Sequence, residues 1–436
     1  MNTREQLFAL EQFGIKLGLD QIRGLVRQLD HPDVAFRSIV IAGTNGKGSV
    51  TAMVERGLRA AGYRTGRYTS PHLVNLEERF AVDGCDVSAA ALDDSAARVL
   101  RAGDHLPAPP SFFEATTAMA LDLFKRAEVD VAVLEVGLGG RLDATNVVDP
   151  MAVAITAVDF DHEQFLGDTI EAIAREKAGV IKRGTLVVLS DNPPAVDAIV
   201  AETARAIGAR LIRASAGVSA ETTMADGRAT IALSTPRATY APMTLGLRGR
   251  HQIQNAITAV RLLEELGDLD ERETTRQLTV PVEAIRIAVE QVVWPARLEL
   301  VRAARGVRPG DDRRDVDVLI DGAHNPAGAR ALSTYVLETY GRRLPMVVAA
   351  MRDKKIDAVL HALSAAASHF VFTSPATPRA ATPTELAAIA ATSAPLVPTC
   401  IFQRPADAVT HAATLGKPVV VAGSLYLAGE IRAALA

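Results

Sequence analysis

The chain has 436 residues, 48% apolar and 22% charged, with a formal net charge of −4 at pH 7. These proportions are globular, exclude a disordered or collagen-like chain, and at roughly 150 residues per domain leave room for two or three domains. The slightly acidic balance supplies no global positive field for gripping nucleic acid, and two cysteines far apart, Cys85 and Cys400, exclude a disulfide framework or a paired-cysteine metal ribbon. The opening MNTREQLFALEQFG lacks the basic head and apolar stretch of a secretory signal, and no run approaches 18 apolar residues. A cytoplasmic protein without nucleic-acid or membrane partners is expected.

From about residue 36 onward, apolar runs alternate with helical periods, which predicts α/β layering around a largely parallel sheet. The first strand, Ser38 to Ala42, shows no polar alternation, as a strand covered on both faces should not. It runs into IVIAGTNGKGSV, residues 39 to 50, with Gly43, Gly46, Gly48 and Lys47 between strand and helix. Glycines let backbone N–H groups turn toward phosphate oxygens, the helix N-terminus adds partial positive charge, and Lys47 supplies a point charge. The strict GxxxxGK[ST] pattern fails, since Ile41 stands at the first glycine and Gly48 separates Lys47 from Ser49. The order strand, loop, helix still favours a mononucleotide site over a glycine-rich turn with an exposed lysine. Val50, Met53, Val54, Leu58 and Ala61 continue at helical spacing, and Gly62 stops the helix.

Next, Tyr68-Thr69-Ser70-Pro71-His72 places the Ser70 hydroxyl at a strand end, where an ordinary hydroxyl turn and a share in a metal site are both open readings. Residues 102 to 111 read as a proline-rich loop. The strand Val129 to Val136 brings Glu135 to its carboxyl end, where an acid can hold Mg²⁺ beside a nucleotide or be merely solvated. GLGGRLDATN, residues 137 to 146, is dense in glycine, charge and polar caps. A further strand, Met151 to Val158, ends in Asp159-Phe160-Asp161-His162, so His162 arrives at the same sheet edge as Glu135. Hydroxyl, carboxylate and imidazole beside a phosphate loop read together as functional. An amphipathic helix over Ile173 to Lys182 carries Lys177, which on the residues alone is a solvated helix lysine. Thr185 to Leu189 is another buried strand, and residues 215 to 245 read as short strands and turns, an excursion from the main sheet. After Trp294 a second series begins, with strands at Val316 to Ile320, Met346 to Ala350, Phe370 to Thr373 and Val419 to Ala422. The domain boundary is placed near residue 295, giving domains 1–294 and 295–436. Residues 305 to 315 read as a solvated hairpin or loop, and no repeat with a fixed period of 20 to 50 residues is present.

GTNGKGS (43–49), TSPHL (69–73), SFFEATT (111–117), LEVGLGGRLDATN (134–146), DH (161–162) and EKAGVIK (176–182) together closely resemble the folylpolyglutamate synthase and dihydrofolate synthase branch of the Mur ligase superfamily. The resemblance continues through HQIQNA (251–256), WPAR (294–297), DGAHNP (321–326), DKK (353–355), TPRAAT (377–382) and GSLYLAGE (423–430), nearly the whole chain. It implies an α/β fold with a P-loop ATP-binding domain, a smaller Rossmann-like α/β domain after it, and a site in the cleft between them. By the same similarity Asn45, Gly46, Lys47, Gly48 and Ser49 cradle ATP, with Asn255, Arg297 and Asp321 completing the nucleotide site from the linker region and second domain. Ser70, Glu135 and His162 hold Mg²⁺, joined by Lys177 as a carbamate, and His324 lies near the phosphates. Lys16, Leu17, Phe113, Leu142, Asp143 and Ala144 match the pterin-binding positions of bifunctional members. Three departures stand out: Lys16 replaces an acidic residue, Ala296 replaces the glycine before the arginine, and DKK replaces DKD.

The chemistry this implies is ATP-dependent activation of a folate or dihydropteroate carboxylate as an acyl phosphate, followed by attack of the L-glutamate amine. The implied cofactors are ATP and Mg²⁺, the partners small-molecule substrates, and the working unit a monomer. Carbamylation requires a neutral amine, so Lys177 is expected where a neighbouring cation or desolvation lowers its pKa. Two other readings are a muramyl peptide ligase of the same superfamily and a nucleotide-gated binding module. SFFEATT, GLGGRLDATN and GSLY favour the folate branch over the former.

Overall fold

The computed structural model describes residues 2–14, 16–268, 278–303 and 316–435, so the loop expected at 305–315 lies outside the described residues. The chain divides into two compact units. One comprises Met1–Glu221, Ile231–Met243 and Gln254–Val292, the other Thr222–Thr230, Thr244–Ile253 and Val293–Ala436.

The first unit opens with helices that the alternation beginning at residue 36 does not announce, Thr3–Ala9 and Asp20–Gln28. The second buries Ile22, Leu25 and Val26 at helical spacing, an amphipathic pattern too short to stand out from the sequence. Eight strands then form one sheet: β1 (Arg37–Ala42), β2 (Thr65–Tyr68), β3 (Phe80–Val82), β4 (Cys85–Asp86), β5 (Val131–Glu135), β6 (Ala152–Ile155), β7 (Leu186–Leu189) and β8 (Arg210–Arg213). Their order is β4-β3-β2-β5-β1-β6-β7-β8. Pairing is parallel from β2 to β8, while β3 and β4 add an antiparallel edge. That edge follows from Asp83-Gly84, a turn with φ +50° and +75° of the kind that closes two-residue hairpins. The sheet's interior strands are covered on both faces, so Ile39, Val40, Ile41 and all of β5 and β6 are buried.

β1 lies between β5 and β6, and the chain proceeds to opposite sides of it. In open α/β sheets ligands bind at such a switch point, outside the carboxyl ends of the strands. The helix Lys47–Ala60 starts from that edge and buries Val50, Met53, Val54 and Leu58. It packs closely on its neighbours because Gly57 lacks a Cβ, which would stand 2.6 Å from Leu263 and 3.1 Å from Ala288.

β9 (Ser219–Ala225), β10 (Arg228–Ser234) and β11 (Thr239–Thr244) form a separate three-stranded sheet, the excursion expected over 215–245. In the second unit, β12 (Glu299–Ala303), β13 (Val316–Ile320), β14 (Leu344–Val348), β15 (Ala367–Phe372), β16 (Thr399–Ile401) and β17 (Val419–Ala422) take the order β12-β13-β17-β14-β15-β16. All pairs are parallel except β12 with β13. Leu319, Met346, Val348, Phe370, Phe372 and Val420 build its core with the flanking helices.

Two local expectations are corrected. The helix drawn over Ile173 to Lys182 is Ile170–Ala178: Thr169 caps its start by accepting from Ala172 N, and Gly179 ends it. Lys182 instead donates to the carbonyls of Asn146 and Val148. The proline-rich loop is shorter than residues 102–111, because Ala89–Gly103 stays helical and Ser111 already caps Phe112–Arg126 in a capping box with Glu114.

Candidate functional site

The loop after β1 has a conformation that only its glycines permit. Gly43 has φ +139° and a Cβ there would fall 1.9 Å from Thr156 Oγ1. Gly46 has φ +91°, with a Cβ 2.3 Å from Asn255 Oδ1. The amides of Thr44 and Asn45 both donate to the Ala157 carbonyl, at 2.8 and 3.1 Å. Those two amides are therefore spent on the protein, and the anion-binding N–H groups must come from Gly46 onward, where the helix Lys47–Ala60 begins. Lys47, Gly48 and Ser49 form its first turn, with Ser49 buried. The Lys47 ammonium rests on the Thr44 carbonyl at 3.2 Å.

Lys177 is not the solvated lysine its helix suggests: it is 4% exposed and its Nζ donates to the Gly43 carbonyl at 2.7 Å. Burial, and then the charge of Lys47, push its pKa down to about 7, against weaker opposing pulls from Asp161 and Asp143. A substantial fraction of neutral amine therefore exists at neutral pH. Glu135 ends β5, and its Oε2 accepts from the Ser70 amide at 3.3 Å, which brings the Glu135 carboxylate to the Ser70 backbone. His162 follows β6, in left-handed backbone at φ +52°, with its amide donating to Asp161 Oδ1.

Among the described residues no group of three His, Cys, Asp or Glu side chains is arranged to hold a metal ion by itself. A hard cation here would draw on the Glu135 carboxylate and Ser70 hydroxyl, donors that suit Mg²⁺, and on His162. The Lys177 ammonium would repel such an ion, whereas its carbamate would present two oxygens. The donor chemistry therefore fits Mg²⁺ provided Lys177 is modified.

The segments expected to hold the pterin also converge. The Gly18 amide donates to the Leu142 carbonyl at 3.4 Å, bringing Lys16 and Leu17 to the GLGGRLDATN loop, with Leu17 41% exposed. The Phe113 ring lies on the Gly137 backbone, where a Cβ would meet it at 2.4 Å. Lys16 donates to the Pro109 carbonyl and sits over the Phe13 ring. Asp143 is turned inward: its oxygens accept from Leu138 N, Thr145 N and Thr145 Oγ1, and it caps the turn that contains buried Ala144. Burial raises its pKa against those hydrogen bonds. Within this loop Asp143 shapes the backbone, and Leu142 and Phe113 are left to offer surface.

Asn255 and Arg297 with Asp321 do not belong to one unit. Asn255 stands over Gly46 in the first, while Arg297, Asp321 and His324 gather in the second. Asp321 follows β13 and accepts from Leu298 N and Ala323 N at 2.9 and 2.8 Å. Burial raises its pKa, opposed first by Arg297. A Cβ on Gly322 would stand 2.6 Å from the Arg297 guanidinium, so the two chains pass in direct contact. His324 Nδ1 faces the Gly322 carbonyl at 2.7 Å and so carries the proton. Ala296 has φ +54°, left-handed backbone that favours the glycine it replaces. Sequence reading missed Thr156 and Asn192, and gave Asp161 no role beyond its place in the DH motif; only the Asn192-Pro193 turn signal could have marked Asn192.

A phosphate loop at the switch point of a parallel sheet, with a strand-end acid and a buried lysine beside it, defines a nucleotide-dependent transferase or ligase of the P-loop kind. Residues 41–263 match the model of the Mur ligase middle domain, and residues 296–425 that of the Mur ligase glutamate ligase domain. The chain is 32% identical to a dihydrofolate synthase/folylpolyglutamate synthase of Bacillus subtilis, over 85% of each. It is 36% identical to a probable bifunctional folylpolyglutamate synthase/dihydropteroate synthase of Halobacterium salinarum, covering 98% of this chain and spanning half the length of that relative. A Mycobacterium tuberculosis folylpolyglutamate synthase crystallised with ADP and AMPPCP superimposes with a TM-score of 0.87 at 31% identity, over 99% of this chain and 98% of that one. The chain belongs to the Mur ligase family, in its folylpolyglutamate synthase/dihydrofolate synthase branch.

Proposed function

We propose that this protein is an ATP-dependent ligase that joins L-glutamate to the carboxylate of a folate, and also of dihydropteroate. The observation that carries the reading is Lys177, buried against the Gly43 carbonyl of the phosphate loop with its pKa down at about 7. A binding switch needs no such amine. A ligase of this family uses it as a carbamate, formed when the neutral amine adds to CO₂ and loses a proton.

In the first step an oxygen of the acceptor carboxylate attacks the γ-phosphorus of ATP, and ADP leaves. In the second the glutamate amine attacks the acyl carbon, inorganic phosphate leaves, and the amide forms. Lys47, with the amides of Gly46, Gly48 and Ser49, neutralises charge that spreads onto the transferring phosphoryl oxygens. Asn45 and Asn255 flank that loop. Arg297, Asp321 and His324 are assigned to the nucleotide as well, the guanidinium to its phosphates and His324 near them. Ser70, Glu135, His162 and carbamylated Lys177 would hold Mg²⁺, which when bound supplies Lewis-acid stabilisation of phosphate charge. Lys16, Leu17, Phe113, Leu142, Asp143 and Ala144 would receive the pterin, with domains 1–294 and 295–436 contributing the nucleotide/folate and glutamate functions. We further assign the protein to the cytoplasm as a monomer, in keeping with its two unpaired cysteines.

The test is ADP release measured with ATP, glutamate and each acceptor in turn, products read by mass. Release that requires both a pteroyl or folyl carboxylate and glutamate is expected. Equal release without acceptor, or turnover of a nucleotide-linked muramyl peptide, would sink the assignment, and glutamylation of tetrahydrofolate but never of dihydropteroate would remove the second activity.

A further inference from the structure

The short segment that follows β6 is held from both sides, and its outer holder has no place in the mechanism above. On the inner side, the Ala157 carbonyl accepts from Thr44 N and Asn45 N, while Asp159 N donates to Thr44 Oγ1 at 3.1 Å and Asp159 O accepts from it at 2.9 Å. On the outer side, the Asn192 side chain takes two backbone groups of the segment that point the other way. Its Oδ1 accepts from Val158 N at 2.7 Å, and its Nδ2 donates to Thr156 O at 3.2 Å and to Ser190 O at 2.9 Å.

β7 has ended by then: the last paired residues are Ile155 and Leu189, and Ser190 N makes the final backbone bond, to Ile155 O at 2.9 Å. A carboxamide carries the donor and acceptor of a peptide group. Asn192 thus extends the parallel ladder by one step where β7 can no longer supply backbone, and it holds the extended segment 156–159 between itself and the phosphate loop. Thr156, within that step, sends its hydroxyl beneath the loop to Asn45 O at 2.8 Å. The turn containing Asn192 also reaches the loop's other flank: Gln254 Nε2 donates to Asp191 O at 2.8 Å and Thr258 Oγ1 to Ser190 Oγ at 3.1 Å, fixing the helical turn from which Asn255 covers Gly46.

We infer that Asn192 is a positioning residue of the nucleotide site, clamping residues 156–159 against the phosphate loop and thereby setting the amides of Gly46 to Ser49 and the approach of His162. The inference rests on the nucleotide reading proposed above. Its role is indirect, since among the described residues the Asn192 side chain bonds to Thr156, Val158 and Ser190 and to no residue of the phosphate loop.

The experiment uses the whole protein and ADP with Mg²⁺ as the probe, by titration calorimetry, together with amide hydrogen exchange. Asn192→Ala, which loses all three side-chain hydrogen bonds, is expected to weaken ADP about tenfold, and Asn192→Asp, which keeps the acceptor for Val158 but loses both donors, about threefold. Exchange should accelerate at Thr44 and Asn45, which Asn192 does not touch, as well as at Val158. A purely structural role would lower the melting temperature and speed exchange at Val158 alone. Asp197→Ala, which removes an exposed ion pair with Arg213 on the helix after the same turn, is the control expected to leave ADP binding unchanged. ADP affinity within twofold of wild type in folded Asn192→Ala, or in Asn192→Asp should the alanine variant not fold, with Thr44 and Asn45 still protected, overturns the inference. Wild-type protein that binds no ADP would instead bring down the nucleotide reading on which it stands.

Discussion

Two buried ionisable groups, one in each unit, show opposite solutions to the same problem. Asp321 pays for its burial with backbone N–H bonds from Leu298 and Ala323 and the nearby Arg297 guanidinium. Lys177 has one carbonyl and, as its strongest charged neighbour, another cation, Lys47. Those groups favour the Asp321 carboxylate form and oppose the upward push of burial, as befits a scaffold residue. An ammonium so placed is driven toward the neutral, nucleophilic form. The contrast teaches that burial alone does not mark chemistry; burial beside a like charge, at the phosphate loop, is what makes Lys177 a candidate.

The comparison breaks most visibly at the phosphate loop itself. Lys47→Ala is expected to lower turnover about a thousandfold, since a charge aimed at the transferring phosphoryl group is typically worth several kcal/mol in the transition state. Circular dichroism should show an intact fold, and near-wild-type turnover would remove Lys47 from that role. Lys177→Ala should lose about a hundredfold and regain part of the loss with added acetate, which fills the oxygen positions of the carbamate. Wild type supplied with ¹³CO₂ should show a carbamate carbon by NMR that this variant lacks. Full activity without acetate would return Lys177 to an ordinary buried lysine.

The second unit holds another base lowered in the same direction as Lys177. His251 is held down to about 4 by burial and then by Arg297, below its ordinary value near 6.5. The unfolded chain therefore binds the proton first: stability is full above about pH 6.5 and falls as pH drops toward 4. With partial solvent access discounted, this amounts to about 2 kcal/mol. His251→Gln should flatten denaturant midpoints across that window, though not fully, because His72 is lowered to about 4 as well. An unchanged slope would show that His251 does not titrate differently on folding.

Smaller effects sharpen the contrast. Glu135→Gln keeps the shape beside Ser70 but removes the charge, so half-saturating Mg²⁺ should rise about tenfold, roughly 1.4 kcal/mol. An unchanged Mg²⁺ titration would take Glu135 out of the metal site. Ala296→Gly should raise stability by less than about 1 kcal/mol, because relief of left-handed strain is partly offset by the entropy of glycine. Thermal melts that show a loss instead would mean the Ala296 methyl packs for more than its backbone strain.

Much of the architecture follows from local pattern. Unbroken apolar runs at Ile39 to Ala42, Val131 to Leu134 and Val419 to Ala422 can only be strands covered on both faces, and glycines at 43 and 46 leave little but a phosphate loop between strand and helix. Periodicity carries such information because it depends on neighbours within one element. It does not carry β8 or β16, short strands whose alternation resembles a loop, nor the antiparallel partner β12, which depends on pairing with β13. The chemistry of Lys177 is likewise absent from its helix: residues 170–178 read as amphipathic, and only the approach of Gly43 and Lys47 from 130 or so positions away, an order of separation at which loop closure erases local signals, removes the water from its amine. The phosphate loop, Ser70, Glu135 and His162 were legible as candidates because each sits at a strand end or loop with its own signature, whereas Lys177, Asn255 and Phe113 lie within helices and were named through the resemblance alone. Their protonation states, the inward turn of Asp143 and the clamp of Asn192 were decided by the tertiary structure, because desolvation and hydrogen-bond completion depend on what the folded chain brings alongside.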